Sequence, residues 1–115
     1  MSFINKLIIS TLAVLIVSKI LPGVIVENIM IAVIVAAVLA FLNAIVKPVL
    51  VFFTLPITLL TLGLFLLVIN TIMILIADKL VDGFEVKNFW TALLFSIILS
   101  FVTSVFEMLA RDKRE

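Results

Sequence analysis

The chain has 115 residues, 66% of them hydrophobic and 13% charged, with a net charge of +1 and neither cysteine nor histidine. Soluble domains run at about 45–50% apolar and about 25% charged residues, so this composition excludes a soluble globule and a disordered chain alike. It also excludes a disulfide framework and a Cys/His metal centre, and gives no electrostatic reason to expect a nucleic-acid partner.

A helix needs about 20 mainly apolar residues to cross a bilayer. The first such run is 3–21, closed by Pro22-Gly23. Lys6 ahead of an apolar stretch resembles the start of a signal peptide. Lys19 interrupts the far end, however, and no small-residue cleavage site follows, so an uncleaved span is expected. The second run, 29–46, lies between Glu27-Asn28 and Lys47-Pro48. The stretch from Val49 to Ala77 is too long for one simple span and contains Pro56. Proline suits the first turn of a helix and disfavours helix in the residue before it, which places Pro48 and Pro56 each at a helix start. The third span is then 57–77. The segment 48–56, about two turns long, reads as an interfacial or shallow re-entrant piece, too short to cross ~30 Å. The competing form is one long tilted helix kinked at Pro56.

The outer loop, 78–88, carries an Asp82-Gly83 turn signal. Phe84 and Val86 alternate with Glu85 and Lys87, which suggests a small extended hook too short to claim as a sheet. Trp90 anchors the fourth span, 89–110, in the interface, and the chain stops at Arg111-Asp112-Lys113-Arg114-Glu115. The expected fold is an all-α integral membrane protein: one membrane domain of four transmembrane helices, with the short segment between the second and third.

With four spans, Lys6, Lys47, Arg111, Lys113 and Arg114 share one side and Lys19, Lys79 and Lys87 the other. The positive-inside rule then favours both termini in the cytoplasm, by a margin narrow enough to admit dual topology. Membrane helices associate through close backbone approach and hydrogen bonds. Two stripes of small residues offer that contact within the bundle or between subunits: Ala32, Ala36, Ala40 and Ala44 on the second span, and Ala92, Ser96, Ser100 and Ser104 on the fourth. Thr103 and Glu107 extend the polar character of the fourth. Asn43 and Lys47 lie one turn apart. Asn70 falls mid-span, seven residues after Gly63 and so nearly on its face, and is expected to hydrogen-bond Thr71 or the serine stripe. Lys19 and Lys47 can snorkel to headgroups, and Lys47, Lys6 and the basic tail can meet anionic lipid.

The absence of His and Cys, of paired intramembrane carboxylates and of a Gly-rich phosphate loop argues against an enzyme and against a cofactor. Asn43-Ala-Ile-Val-Lys47-Pro48, Leu55-Pro56-Ile-Thr58, Leu60-Thr-Leu-Gly63-Leu-Phe65, Val68-Ile-Asn70, Gly83-Phe84-Glu-Val86 and Phe89-Trp90-Thr-Ala occur in this order. In this the chain resembles phage holin family 4, the holin superfamily IV. The resemblance covers about two-thirds of the chain, and its first span is not distinctive. It implies a four-span inner-membrane protein, and the matched Asn43, Lys47, Pro48, Pro56, Gly63 and Asn70 become the candidate functional positions. Lipids and further copies of the chain are the expected partners. Holin-like permeabilisation or a structural envelope role by self-association is the leading function. A lipid or small-solute transporter or channel, built on Asn43, Lys47 and Asn70 facing one interior, and a helper subunit of another membrane protein are the alternatives.

Overall fold

The computed structural model describes residues 2–114, and side chains within 2–110. Helix α1 (Phe3–Ile20) leads through strand β1 (Val24–Val26) into helix α2 (Ile29–Phe41). A π-helical turn (Leu42–Val46) joins α2 to α3 (Lys47–Phe53), and short α4 (Leu55–Leu60) follows. Helix α5 (Phe65–Leu80), strand β2 (Phe84–Val86) and helix α6 (Phe89–Arg114) complete the chain.

The architecture is a duplicated hairpin. Leu7, Ile9, Thr11, Lys19, Gly23, Asn28, Ala32, Leu39 and Phe41 recur at a constant offset of 60 residues, as Leu67, Ile69, Thr71, Lys79, Gly83, Asn88, Ala92, Leu99 and Phe101. The local structure recurs with them. The Thr11 and Thr71 hydroxyls each donate to the carbonyl four residues back, both at 2.8 Å. Asn28 and Asn88 each cap the following helix, accepting from Ile31 N and Thr91 N at 2.9 Å. Gly23 and Gly83 hold φ of 96° and 95°, a backbone region open to glycine.

The two hairpins meet through their strands. β1 and β2 pair antiparallel with Ile25 opposite Glu85, and Glu27 N donates to Gly83 O while Lys87 N donates to Gly23 O. Each strand thereby satisfies backbone groups that a lone three-residue strand would leave bare. This reciprocal exchange defines an approximate twofold axis through the strand pair. Both hairpin bends lie at one end of the molecule, the strand end. The start of α1, the π turn, the start of α5 and the last turns of α6 lie toward the other, open end. A core of Val17, Val24, Val35, Ala77, Phe84 and Phe95 fills the strand half, with the Phe84 and Phe95 rings 5.9 Å apart.

The middle of the chain departs from the sequence expectation. The second helix does not end at 46: Ile29–Phe53 is apolar and continuous for 25 residues, with Pro48 inside it. The π turn explains why. Lys47 N donates to Leu42 O, and the widened turn absorbs both the proline ring and its missing N–H. The residues 48–56 are therefore no separate segment, since 47–53 extend the second helix and the break falls at Thr54. Pro48 sits in the first turn of α3 and Pro56 in the first turn of α4.

Nor is 57–77 one helix. Gly63 N donates to Thr58 O at 2.8 Å and Leu62 N to Leu59 O at 3.1 Å, the paired bonds of a Schellman cap. That cap ends α4, so Gly63 precedes α5 and shares no helix face with Asn70. Helix α5 has 16 residues, about 24 Å. Among the described residues, the helices long and apolar enough to cross a membrane are thus three: Phe3–Ile20, Ile29–Phe53 and Phe89–Ala110. The outer loop is shorter than 78–88, because α5 runs to Leu80, and its extended hook pairs with a strand in the other hairpin bend.

Candidate functional site

In the open half of the molecule the helices part. Two contiguous cavities, of about 270 and 470 Å³, share Ser10, Ala36, Ala40, Asn43 and Thr103 and form one cleft between α1, α2 and α6. The inner part reaches Val14, Leu39 and Leu99; the outer part opens past Phe3, Lys6 and Glu107. From Phe3 to Val14 is roughly 17 Å along α1. The buried Val17, Val35 and Phe95 lie beyond it, so the cleft stops near mid-depth.

Its walls are built by the repeat. Ala40 faces the same space as its mate Ser100, Ala44 as Ser104, and Asn43 as Thr103. The axis that runs through the strand pair therefore continues into the cleft. The two small-residue stripes divide at the same level. Ala32, Ala36, Ala92 and Ser96 are buried, whereas Ala40, Ala44, Ser100 and Ser104 are exposed and line the cleft.

The two repeats differ at this level. Helix α3 follows the π turn and packs against α5, whereas α6 has no such turn, runs as α-helix through Arg114 and packs along α1. The cleft lies on the α1 side, walled by α1, α2 and α6.

The hydroxyls of Thr11, Ser18, Thr54, Thr61, Thr71 and Ser96 donate to backbone carbonyls three or four residues back, while Thr58 Oγ1 on α4 is buried without a partner. Among the described residues, no side-chain hydrogen bond involves Ser10, Asn43, Ser100, Thr103 or Ser104, and these five line the cleft. Polar groups in a low-dielectric setting gain most from partners, and the cleft leaves room for a bound molecule, water or another helix to supply them. The wall offers hydroxyls, one amide, the Lys6 ammonium and the Glu107 carboxylate, a set for hydrogen bonding and ion pairing.

The candidate positions from sequence do not converge. Asn43 lies in the cleft. Lys47 and Pro48 follow the π turn outside it, Pro56 and Gly63 belong to the α4 region, and Asn70 is half-buried on α5 away from the cleft. The shared interior expected for Asn43, Lys47 and Asn70 does not form, and the Thr71 hydroxyl, a partner proposed for Asn70, is bonded to Leu67 O instead. Ser10 was the position missed, while Lys6, expected to meet anionic lipid, lines the outer cleft. The repeat carries the signal for Ser10, because it is the mate of Asn70.

The matching family model, Mycobacterial 4 TMS phage holin, superfamily IV, covers residues 1–105. The chain belongs to this holin superfamily IV family. Among its relatives, the uncharacterised membrane protein YvlD of Bacillus subtilis strain 168 is 36% identical over 96 residues, 83% of this chain and 81% of that one. The uncharacterised protein SCO3922 of Streptomyces coelicolor is 43% identical over 81 residues, 67% of this chain and 65% of that one. No solved structure matches the chain. It is a mostly helical bacterial membrane protein of holin-like type. The family is described by four transmembrane segments, against three helices of spanning length among the described residues here.

Proposed function

We propose that this protein holds the polar end of an amphiphile in a cleft open to one leaflet of the bacterial inner membrane. The observation that carries the reading is the set of five uncommitted polar side chains gathered in one dead-ended cavity. Intramembrane polar groups mark binding sites more often than lipid-facing surface, and a cavity of a few hundred Å³ is of ligand size. Repeats related by an axis along the membrane normal also frame the sites of several transporter folds.

In this reading α5, the mate of α1, makes the fourth crossing. Its shortness draws the turn at Leu62-Gly63 to the membrane surface or thins the bilayer there. Lys6, Lys47, Arg111, Lys113 and Arg114 belong to the open end, which supports cytoplasmic termini. The reading is binding rather than catalysis, since among the described residues no hydrogen bond ties a wall hydroxyl to Lys6 or Glu107, the pairing that would activate a nucleophile. The test is lipid retention after transfer into nanodiscs. Filling the cleft with Ser100→Leu and Ser104→Leu lowers the bound lipid; unchanged retention would sink the reading.

Self-association toward holin-like permeabilisation or an envelope role is the second reading. The exposed Ala40, Ala44, Ser100 and Ser104 favour it, because small residues let another helix approach closely. In that case the occupant is a helix of another copy. Since one copy seals its strand half, passage across the membrane requires an assembly. The same leucine variants then disperse the oligomer and abolish dye leakage from vesicles. Gentle copurification of a different membrane protein would instead support a helper-subunit role.

A further inference from the structure

We infer that the occupant of the cleft is a zwitterionic lipid of the phosphoethanolamine class, with its phosphate held at Lys6 and its ammonium at Glu107. The inference rests on the amphiphile-binding reading above and names its substrate class. Lys6, from α1, and Glu107, from α6, contribute opposite charges to the outer part of one cavity. Between them the wall presents Ser10, Asn43 and Thr103, with apolar Phe3 and Leu7 beside the charges.

Charge matching decides the class. A purely anionic headgroup satisfies Lys6 and meets repulsion at Glu107, and a purely cationic one does the reverse. A neutral headgroup matches neither the exposed Lys6 ammonium nor the half-buried Glu107 carboxylate. A group with an anion and an N–H-bearing cation on one short linker satisfies both. The primary ammonium also donates hydrogen bonds to the Asn43 amide oxygen and to the hydroxyls, which a quaternary ammonium cannot do. Phe3 and Leu7 supply the surface on which acyl chains leave the cleft, which favours a lipid over a free solute. The repeat shows the pairing is particular to this flank: the mate of Lys6 is Leu66, and the mate of Glu107 is Lys47.

The test uses the full chain in nanodiscs of equal phosphatidylethanolamine and phosphatidylglycerol, with retained lipid identified by native mass spectrometry. Wild type is expected to retain phosphatidylethanolamine about fivefold over phosphatidylglycerol, the upper end for one partly exposed charge pair. Glu107→Gln abolishes the preference, and Lys6→Gln lowers retention of both lipids. Phosphatidylcholine in place of phosphatidylethanolamine binds more weakly. If lipid is retained but without preference, or with a preference that neither charge variant moves, the inference is overturned while the cleft reading stands. If free phosphoethanolamine displaces the lipid at equal concentration, the occupant is a solute and the lipid assignment fails. If wild type retains no more lipid than the Ser100→Leu, Ser104→Leu variant, both readings fall together.

Discussion

Alanine at the three glycines separates backbone strain from steric contact. Gly23, Gly63 and Gly83 all hold positive φ, at 96°, 89° and 95°. Each substitution therefore carries a conformational cost of about 1–2 kcal/mol. Their surroundings differ. A Cβ at Gly63 meets nothing within 4 Å, so Gly63→Ala carries the backbone cost alone. At Gly23 the new atom lies 3.1 Å from Thr91 Cγ2 and 3.3 Å from Lys87 Cβ. A β-branched helical side chain and a Cβ have little room to yield, which adds about 1–3 kcal/mol of overpacking. At Gly83 the shortest contact is 2.9 Å to Glu27 Oε1, the free end of an exposed side chain, with Ile31 Cγ1 at 3.1 Å behind it. The carboxylate swings aside and the isoleucine gives slightly, so Gly83→Ala falls between the others. Equilibrium unfolding in mixed detergent micelles is the assay. The expected costs are about 1–2 kcal/mol for Gly63→Ala, about 2–3 for Gly83→Ala and about 2–5 for Gly23→Ala. Equal costs at Gly63 and Gly23, or no cost at Gly23, would refute the interlocked hairpins.

Leu62 holds φ of 56° and is 94% exposed, so Leu62→Gly relieves a left-handed residue without emptying a core and raises stability by about 0.5–1 kcal/mol in the same assay. Asn28→Ala and Asn88→Ala each remove a helix cap bonded at 2.9 Å. Each costs about 1 kcal/mol, and because they cap different helices the double variant approaches the sum within about 0.5 kcal/mol. Ile25→Cys with Glu85→Cys places thiols on directly opposed residues, at an antiparallel Cα separation of about 4.5–5.5 Å that a disulfide accepts. Oxidation is expected to cross-link the chain within itself, seen as faster migration on non-reducing gels; cross-links only between copies would contradict the strand pairing.

How much was legible in the sequence follows the range of the forces involved. Apolar runs long enough to cross a bilayer announce themselves, and Pro22-Gly23 and Asp82-Gly83 mark the two bends. The strand pairing was not readable, because three residues carry too little alternation and their partner lies 60 positions away. The repeat was hidden by divergence at the positions that matter most: Ala36, Ala40 and Ala44 became Ser96, Ser100 and Ser104, and Val35 became Phe95. Pro48 does open α3, as a proline at a helix start is expected to, but the π turn ahead of it keeps α3 continuous with the second helix, which the residue types alone do not show. Asn70 drew attention as a mid-membrane amide. The physics behind that choice was sound, but the flank it occupies is the one where α3 packs on α5, while its mate Ser10 lines the cleft.

The account stands on a cleft that opens at one end only, and thiol accessibility measures this directly in a chain with no native cysteine. Single Ser10→Cys, Ser100→Cys, Ser96→Cys and Val35→Cys variants are exposed to a membrane-impermeant maleimide from each side of sealed vesicles. Labelling is expected for the variants at positions 10 and 100 from the cytoplasmic side alone, and for neither 96 nor 35 from either side. Labelling at position 35 from the strand side, or no labelling at position 100 from either, would contradict it.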